Sequence, residues 1–560
     1  MIGRLRLWAA RRARGHGVRY RGHNLPAEAG AGRHRTLWVE LENTGTRAWR
    51  GGASTRGRTD LAVLVDGAVV TGGPLPRPTV RPGERVTFAV EWMAPARPGR
   101  YRLAVDLVEQ EVAYYSQRGF ARPEVELVVT AEDARPGEQL ATHADARGEW
   151  FFRPAQRVTR GRDGFHYPGF AAATEGCRLT DVDGRVFVDY VMGWGSAWLG
   201  YAHPAVREAI RAAAASGATP SLTGRTQLAV ADALCGLVPG AERVLFGKNG
   251  SDVCTAAVRL ARAATRRPLV VVSGYHGWQD WYLQSGGFAD AAAVPPVRGA
   301  VVHARFNDAA HLASLLSKHR GRVAAVMMEA AAAIAGLNGP VHEADPSYLA
   351  DARALCRREG ALLILDEVFT GLRYPGGSVQ AAFGVDADLT CLGKAIGGGM
   401  PLSALVGTTA AFAALPRIYY GPTYQGETCS LAAAEAAVAA ARSCDAVGHV
   451  RAFAERLRRG VDERCRAHGV PAALVGPPVR MVLSFREPDA ERVVQMRTLV
   501  QQELLRAGVI TYRGFLLPSL AHDEDALRQT LSGFDRALGA VARARSEDAF
   551  ARYLDMPAVI

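Results

Sequence analysis

Three short, almost unbroken apolar runs constrain this chain more than any other feature: Leu269 to Val272, Val323 to Met328 and Ala361 to Leu365. Such runs are typical of parallel strands buried on both faces. Segments of helical pattern, 308–319 and 346–359, lie between them. Strands alternating with helices predict a doubly wound α/β layout from about residue 150 onward. After Ser430 an alanine-rich helix leads into mixed segments, with a strand over 480–485 and a helix over 491–506. That pattern predicts a large part over about 205–430 and a smaller α+β part over about 431–555.

The first portion reads differently. Residues 18–130 form short alternating runs separated by turn residues. Leu61 to Val65 and Ala68 to Val70 flank Asp66-Gly67, a two-residue hairpin signal. Val86, Phe88, Val90 and Trp92 fall on one face of a strand. Several short strands with this punctuation predict a β-sandwich. The stretches VELENTGTRAW, VRPGE and APARPGRYRLAVDLV resemble the immunoglobulin-like modules appended to bacterial surface-polysaccharide enzymes. A glycan-binding role and a packing or dimer-supporting role both remain open for it. Residues 131–150, with Arg135-Pro136-Gly137, read as a linker to a catalytic domain over 151–560. Residues 1–17 read as a basic, solvated tail whose apolar stretch is too short and Arg-broken for a secretory signal.

A length of 560 residues suits two or more domains. The net charge of +12 is almost all arginine, spread along the chain without an aromatic–basic cluster, which argues against nucleic acid. No apolar run is long enough to span a bilayer. The eight cysteines are scattered and lack CxxC spacing, which argues against a metal site and a disulfide scaffold and suits a reducing cytoplasm.

Arginine bias leaves only three lysines, Lys248, Lys318 and Lys394. Lys318 lies in a polar helix beside His319 and Arg320 and reads as a surface residue. Lys248 sits in Phe246-Gly247-Lys248-Asn249-Gly250-Ser251, ahead of a helix. Glycine plus a hydroxyl at a helix start forms an anion cradle, to which Lys248 adds charge. Lys394 stands between a short apolar strand and the glycine-rich Gly397-Gly398-Gly399, a confined position where a lysine pKa falls enough for nucleophile and base work. Tyr275-His276-Gly277-Trp278 puts aromatic rings at a strand end, where a planar cofactor stacks. Asp366 ends another apolar strand, and a buried carboxylate there needs a cationic partner.

In this order the motifs resemble class III aminotransferases of pyridoxal 5′-phosphate (PLP) fold type I, especially the glutamate-1-semialdehyde aminomutase-like branch. The resemblance runs from about Phe165 to beyond Tyr512. It includes GCRLTDVDGRVFVD, Gly193-Trp194-Gly195, Gly200-Tyr201-Ala202-His203-Pro204 and Pro422-Thr423-Tyr424-Gln425-Gly426-Glu427. It implies that Lys394 carries PLP as a Schiff base and that Asp366 pairs with the pyridine nitrogen. Val368 and Tyr275 would face the ring from opposite sides, with His276 beside it. Gly250 and Ser251 would hold the phosphate, and Thr423 would reach the phosphate of the neighbouring subunit in a homodimer. Glu329 and Trp194 would line the substrate pocket, and Arg160 or Arg162 would take a substrate carboxylate.

The chain departs from the family at Glu329-Ala330-Ala331-Ala332-Ala333, where the family often has Glu-Pro-Val-Ala-Gly-Asn. It departs again at PTYQGETCSLAAA, where the aminomutase has GTLSGNP. The second departure and the extra β-domain favour transfer from an amino donor to an aldehyde or ketone acceptor, in a specialised carbohydrate or natural-product pathway. The alternatives are intramolecular 1,2-amino transfer, epimerisation of an amino acid, and an inactive scaffold or glycan-binding protein.

Overall fold

The computed structural model describes residues 16–30, 34–51, 58–95, 97–110, 113–130, 140, 165–283, 300–333 and 341–555. Arg160, Arg162 and most of the expected tail and linker lie outside the described residues.

The strands β1 (Arg19–His23), β2 (Glu28–Gly30), β3 (His34–Glu42), β4 (Thr59–Val65), β5 (Ala68–Pro74), β6 (Arg85–Met93), β7 (Gly99–Glu109) and β8 (Glu124–Thr130) build two sheets. One runs β1-β3-β6, the other β2-β8-β7-β4-β5. Only β2 with β8 is parallel among these pairs. Burial alternates along β6, and Val86, Phe88, Val90 and Trp92 point inward. They meet Val39 and Leu41 of β3 and Leu103, Val105 and Leu107 of β7 in one core. Asp66 and Gly67 turn the β4–β5 hairpin with φ of 49° and 83°. Two positive φ values match the twist of the flanking strands.

β9 (Ala171–Glu175), β10 (Arg178–Asp181) and β11 (Val186–Asp189) open the second unit in a small sheet whose fourth strand, Val509–Ile510, pairs parallel with β11. The large sheet follows. Its elements are β12 (Arg243–Gly247), α1 (Gly250–Thr265), β13 (Leu269–Ser273), β14 (Val301–His303), α2 (Ala309–Lys318), β15 (Val323–Glu329), α3 (Pro346–Glu359), β16 (Leu362–Glu367), β17 (Leu389–Leu392) and β18 (Ser403–Gly407). The strand order is β12-β18-β17-β16-β15-β13-β14. All neighbours are parallel except those of β18. Every residue of β13, β15, β17 and β18 is buried, which is why their sequences lack polar alternation. Asp308 caps α2 by accepting from the His311 N–H at 2.8 Å.

The alanine-rich helix α4 (Thr428–Ser443) packs into the core of this large sheet through Leu431, Ala434 and Ala437. Beyond it come α5 (Ala446–Ala467), β19 (Ala472–Val475), β20 (Met481–Phe485), α6 (Ala490–Arg506), β21 (Val509–Ile510), β22 (Phe515–Leu516), α7 (Glu524–Ser546) and α8 (Phe550–Tyr553). The small sheet β19-β20-β22 is antiparallel. Leu457, Val461, Met496, Leu499, Phe534 and Leu538 join its helices in a separate core. Trp38 of β3 is part of that core, so the β-sandwich is seated on the C-terminal part.

Candidate active site

Strand register brings the chemistry to one edge of the large sheet. Glu329 pairs with Asp366, and Asp366 with Cys391, across the carboxyl ends of β15, β16 and β17. Open α/β sheets bind ligands at this edge. Lys394 lies three residues past Cys391 and adopts φ 47°, uncommon for a residue with a β-carbon. Gly393 before it runs against Val368, whose Cγ1 would stand 3.1 Å from an added β-carbon.

Asp366 is buried. Its Oδ2 lies 2.8 Å from Nδ1 of the buried His276 and accepts a second contact from the Cys254 thiol at 3.5 Å. Its Oδ1 accepts from the Val368 N–H at 3.1 Å. The hydrogen bond to Cys391, and then burial, push the Cys254 thiol well above its usual range, so it stays a donor. Among the described residues His276 Nε2 is buried without a hydrogen-bond partner. Glu329 Oε2 accepts from the Tyr275 N–H at 2.8 Å. Between them Gly274, at φ 110°, leaves no room for a side chain: a β-carbon would meet Glu329 Oε2 at 2.6 Å. Burial raises the Glu329 carboxyl, Arg480 opposes this, and Asp366 adds to it.

Lys394 is half-buried. Burial lowers its pKa, Asp366 opposes the shift, and Arg373 reinforces it. Such a lysine holds a neutral, nucleophilic amine more readily than a solvated one. Among the described residues its ammonium makes no ion pair.

Gly250 and Ser251 open α1, whose first N–H groups have no acceptor within the helix. A β-carbon on Gly250 would lie 2.7 Å from Val368 Cγ1, so the helix start is held tight against the strand that carries Asp366. Ser251 Oγ accepts from the Trp278 N–H at 3.3 Å, which ties the helix start to the Tyr275–Trp278 segment. Tyr275 remains 37% exposed. Trp194 is 45% exposed and stands edge-on to Tyr512 at 4.6 Å.

Not every expected residue gathers here. Thr423 is exposed on the segment ahead of α4. Lys248 is committed elsewhere, its Nζ lying 3.0 Å from Glu427 Oε2. Glu427 caps α4 by accepting from Cys429 and Ser430. Burial would raise this carboxyl, but those hydrogen bonds and Lys248 hold it down to about 2. Lys318 is exposed at the end of α2. The site also holds residues that the sequence reading passed over: Cys254 on Asp366, and Phe369 with Arg480 near Lys394. For Arg480 the signal was a lone arginine between Pro477-Pro478 and an apolar strand.

A lysine whose basicity burial lowers, beside a carboxyl group held by His276, Cys254 and the Val368 N–H, suits an enzyme that works on amines through PLP in a fold type I scaffold. The chain belongs to the class-III aminotransferase family, whose model matches residues 161–538. It is 33% identical over 404 residues to the glutamate-1-semialdehyde 2,1-aminomutase of Thermomicrobium roseum, which covers 67% of this chain and 92% of that enzyme. The same figure, 33% over 402 residues, holds for the aminomutase of Roseiflexus castenholzii, covering 67% and 91%. Among solved structures, the FumI protein of Sphingopyxis sp. MTA144 superposes with a TM-score of 0.67 at 26% identity, over 74% of this chain and 98% of that one. A glutamate-1-semialdehyde aminomutase from Pseudomonas aeruginosa PAO1 gives 0.58 at 26% identity, over 67% and 89%.

The cofactor is therefore PLP, and the residues present fit it. The glycine at the start of α1 leaves a cradle that a β-carbon would fill. The Asp366 carboxylate is buried and oriented. The lysine opposite it has no competing ion-pair partner among the described residues. No described helix is long and apolar enough to cross a membrane.

Proposed function

We propose that this enzyme moves an amino group from an amino donor to an aldehyde or ketone acceptor, in a cytoplasmic, specialised carbohydrate or natural-product pathway. Lys394 would carry PLP, Asp366 would face its ring nitrogen, and Val368 and Tyr275 would flank its ring, with His276 supporting Asp366. Gly250 and Ser251 would hold the phosphate, helped by Thr423 across the interface of a homodimer. Trp194 and Glu329 would border the substrate. The exposure of Thr423, and of Leu222, Leu228, Tyr419 and Tyr424, supports the shared interface. The burial of Trp38 in the C-terminal core supports a packing role for the β-sandwich rather than a glycan-binding one.

When bound, PLP supplies an electron sink for the charge left behind as a proton leaves the substrate carbon. The chain's own part is proton movement and orientation. Lys394, whose basicity burial lowers, would take that proton at Nζ and return it one position away. Asp366 Oδ2 accepts from the Cys254 S–H and lies against His276 Nδ1, contacts that fix its direction. The Glu329 contact to the Tyr275 N–H holds the aromatic segment beside the site.

The Lys394–Asp366 arrangement carries this reading. It is tested by the visible spectrum of the purified wild type and Lys394→Ala, before and after L-glutamate. A cofactor band in the wild type that glutamate bleaches, and that Lys394→Ala lacks, is expected. Turnover in Lys394→Ala should fall by at least about 10²-fold. No band in the wild type after supplying PLP would overturn the assignment. The names of the relatives favour a second reading, intramolecular transfer on an amino aldehyde. Isomerisation of glutamate-1-semialdehyde without any added donor would establish it.

A further inference from the structure

Three cationic groups surround one ring. The Arg373 guanidinium lies 4.6 Å from the centroid of Phe369, the Arg480 guanidinium 5.2 Å and the Lys394 ammonium 5.8 Å. Two of the three have evident work. Lys394 is the reactive amine. Arg373 is buried and donates to the main-chain carbonyls of Phe369, Gly371 and Gly195, tying the turn after β16 to the Trp194 segment.

Arg480 is left over. It stands just before β20 and reaches out of the C-terminal part into the site. Its guanidinium is bracketed by Phe369 and by Phe515 at 5.4 Å. Among the described residues it makes no side-chain hydrogen bond and no ion pair. The opposing charge that acts on it is Glu329, which lies beyond ion-pair distance, and burial lowers its pKa. A half-buried charge without a close partner is poorly compensated, while a guanidinium against ring faces still offers the donors in its plane. Nothing among the described residues uses them, and they lie on the same ring as Lys394.

We propose that Arg480 anchors a carboxylate of the substrate, binding it across Phe369 from Lys394 and so selecting an amino-acid donor or a keto-acid acceptor. The assignment rests on the reading of Lys394 as the reactive amine. A carboxylate is favoured over a phosphate on two grounds. Its two oxygens match the planar fork. Its single charge also sits more easily than a dianion near Glu329. Arg160 and Arg162, the sequence-based candidates for this contact, lie outside the described residues, whereas Arg480 is at the site.

The test titrates the PLP-loaded enzyme with glutarate, glutaramide and inorganic phosphate by calorimetry, recording the visible band on each sample. Wild type, Arg480→Gln and Arg480→Lys are compared. The wild type should prefer glutarate to glutaramide by at least about tenfold. Arg480→Gln should lose about 30-fold or more in glutarate affinity, as expected when one partner of a buried charge pair is removed. Arg480→Lys should fall between, because a point charge lacks the fork. Glutaramide binding should be equal in all three. Glutarate affinity within twofold of wild type in Arg480→Gln, with the band intact, overturns the anchor alone. Phosphate binding as tight as glutarate overturns the carboxylate assignment. Absence of the band in the wild type overturns the underlying reading of the site instead. If Arg480→Gln does not fold, the Arg480→Lys variant and the wild-type preference for glutarate over its diamide decide the question.

Discussion

Lys394 combines two unfavourable features at one residue. Its backbone sits at φ 47°, and its amine is in surroundings that lower its basicity. Both cost stability, and in the proposed role both would serve reactivity, as strained and desolvated groups at active sites commonly do. The sign of the cost follows from linkage. In the unfolded chain the amine holds its proton up to about its ordinary value of 10.5, whereas in the folded chain burial drives the proton off at lower pH. Between the two values the unfolded state binds more protons, so stability rises with pH across that window. Replacing Lys394 with Met removes the penalty. In cofactor-free protein the variant should be more stable than wild type by about 1 kcal/mol at pH 7, by urea unfolding. The gain should shrink as pH rises towards 10.5 and vanish above it. A gain that persists unchanged at pH 11 would mean that packing, not charge, made the difference.

At the scale of elements, the site depends on how closely the start of α1 meets the loop after β13. Gly277 has φ 105°, and a β-carbon there would collide with Ser251 Oγ. Gly277→Ala must therefore strain the backbone and push the helix start away from the Tyr275–Trp278 segment, at a cost of about 1–3 kcal/mol. Since Ser251 is a proposed phosphate contact, PLP affinity should drop by about tenfold or more, read from the visible band at limiting PLP. A Gly277→Ala protein that melts lower but binds PLP as tightly would separate Ser251 from the phosphate.

The same elements show what the sequence made legible. Doubly buried strands wrote themselves as unbroken apolar runs, so β13, β15 and β16 could be read directly, and with them the strand-end positions of Glu329 and Asp366. Helix α2 was legible from its pattern, and Asp308 closes its start. What stayed hidden was set by register and by distant packing. Cys254 meets Asp366 because the inner face of α1 lies over β16. Arg480 meets Phe369 because a strand of the small sheet delivers it to the large one. Lys248 looked like an anion ligand from its loop, but the fold brings Glu427 to it.

At the scale of the whole molecule, the β-sandwich is joined to the C-terminal part by mixed contacts. Trp38 enters that part's core, and an added β-carbon on Gly22 would run into Ala551 of α8. Asn24 Nδ2 donates to the Asp555 carbonyl at 3.1 Å. Asp555 is itself held by Tyr167 and Arg506 at 2.5 Å each. One element of this junction opposes docking. Glu40 on β3 is buried, and among the described residues its Oε1 has no hydrogen-bond partner. Burial raises its carboxyl, and Glu491 and Asp548 across the junction raise it further, against Arg85 and Arg21. Because the folded value lies above the ordinary 4.5, no penalty exists below that pH, where the carboxyl is protonated in both states. The penalty grows as pH rises past 4.5 and is complete once pH exceeds the folded value. Glu40→Gln keeps the shape and removes the charge, so it should stabilise the protein by about 1 kcal/mol at neutral pH and by nothing near pH 4. The check is a pair of thermal melts of wild type and variant at the two pH values. Equal melting at pH 7 would show that Arg85 and Arg21 already neutralise Glu40, leaving the junction to its apolar and hydrogen-bonded contacts alone.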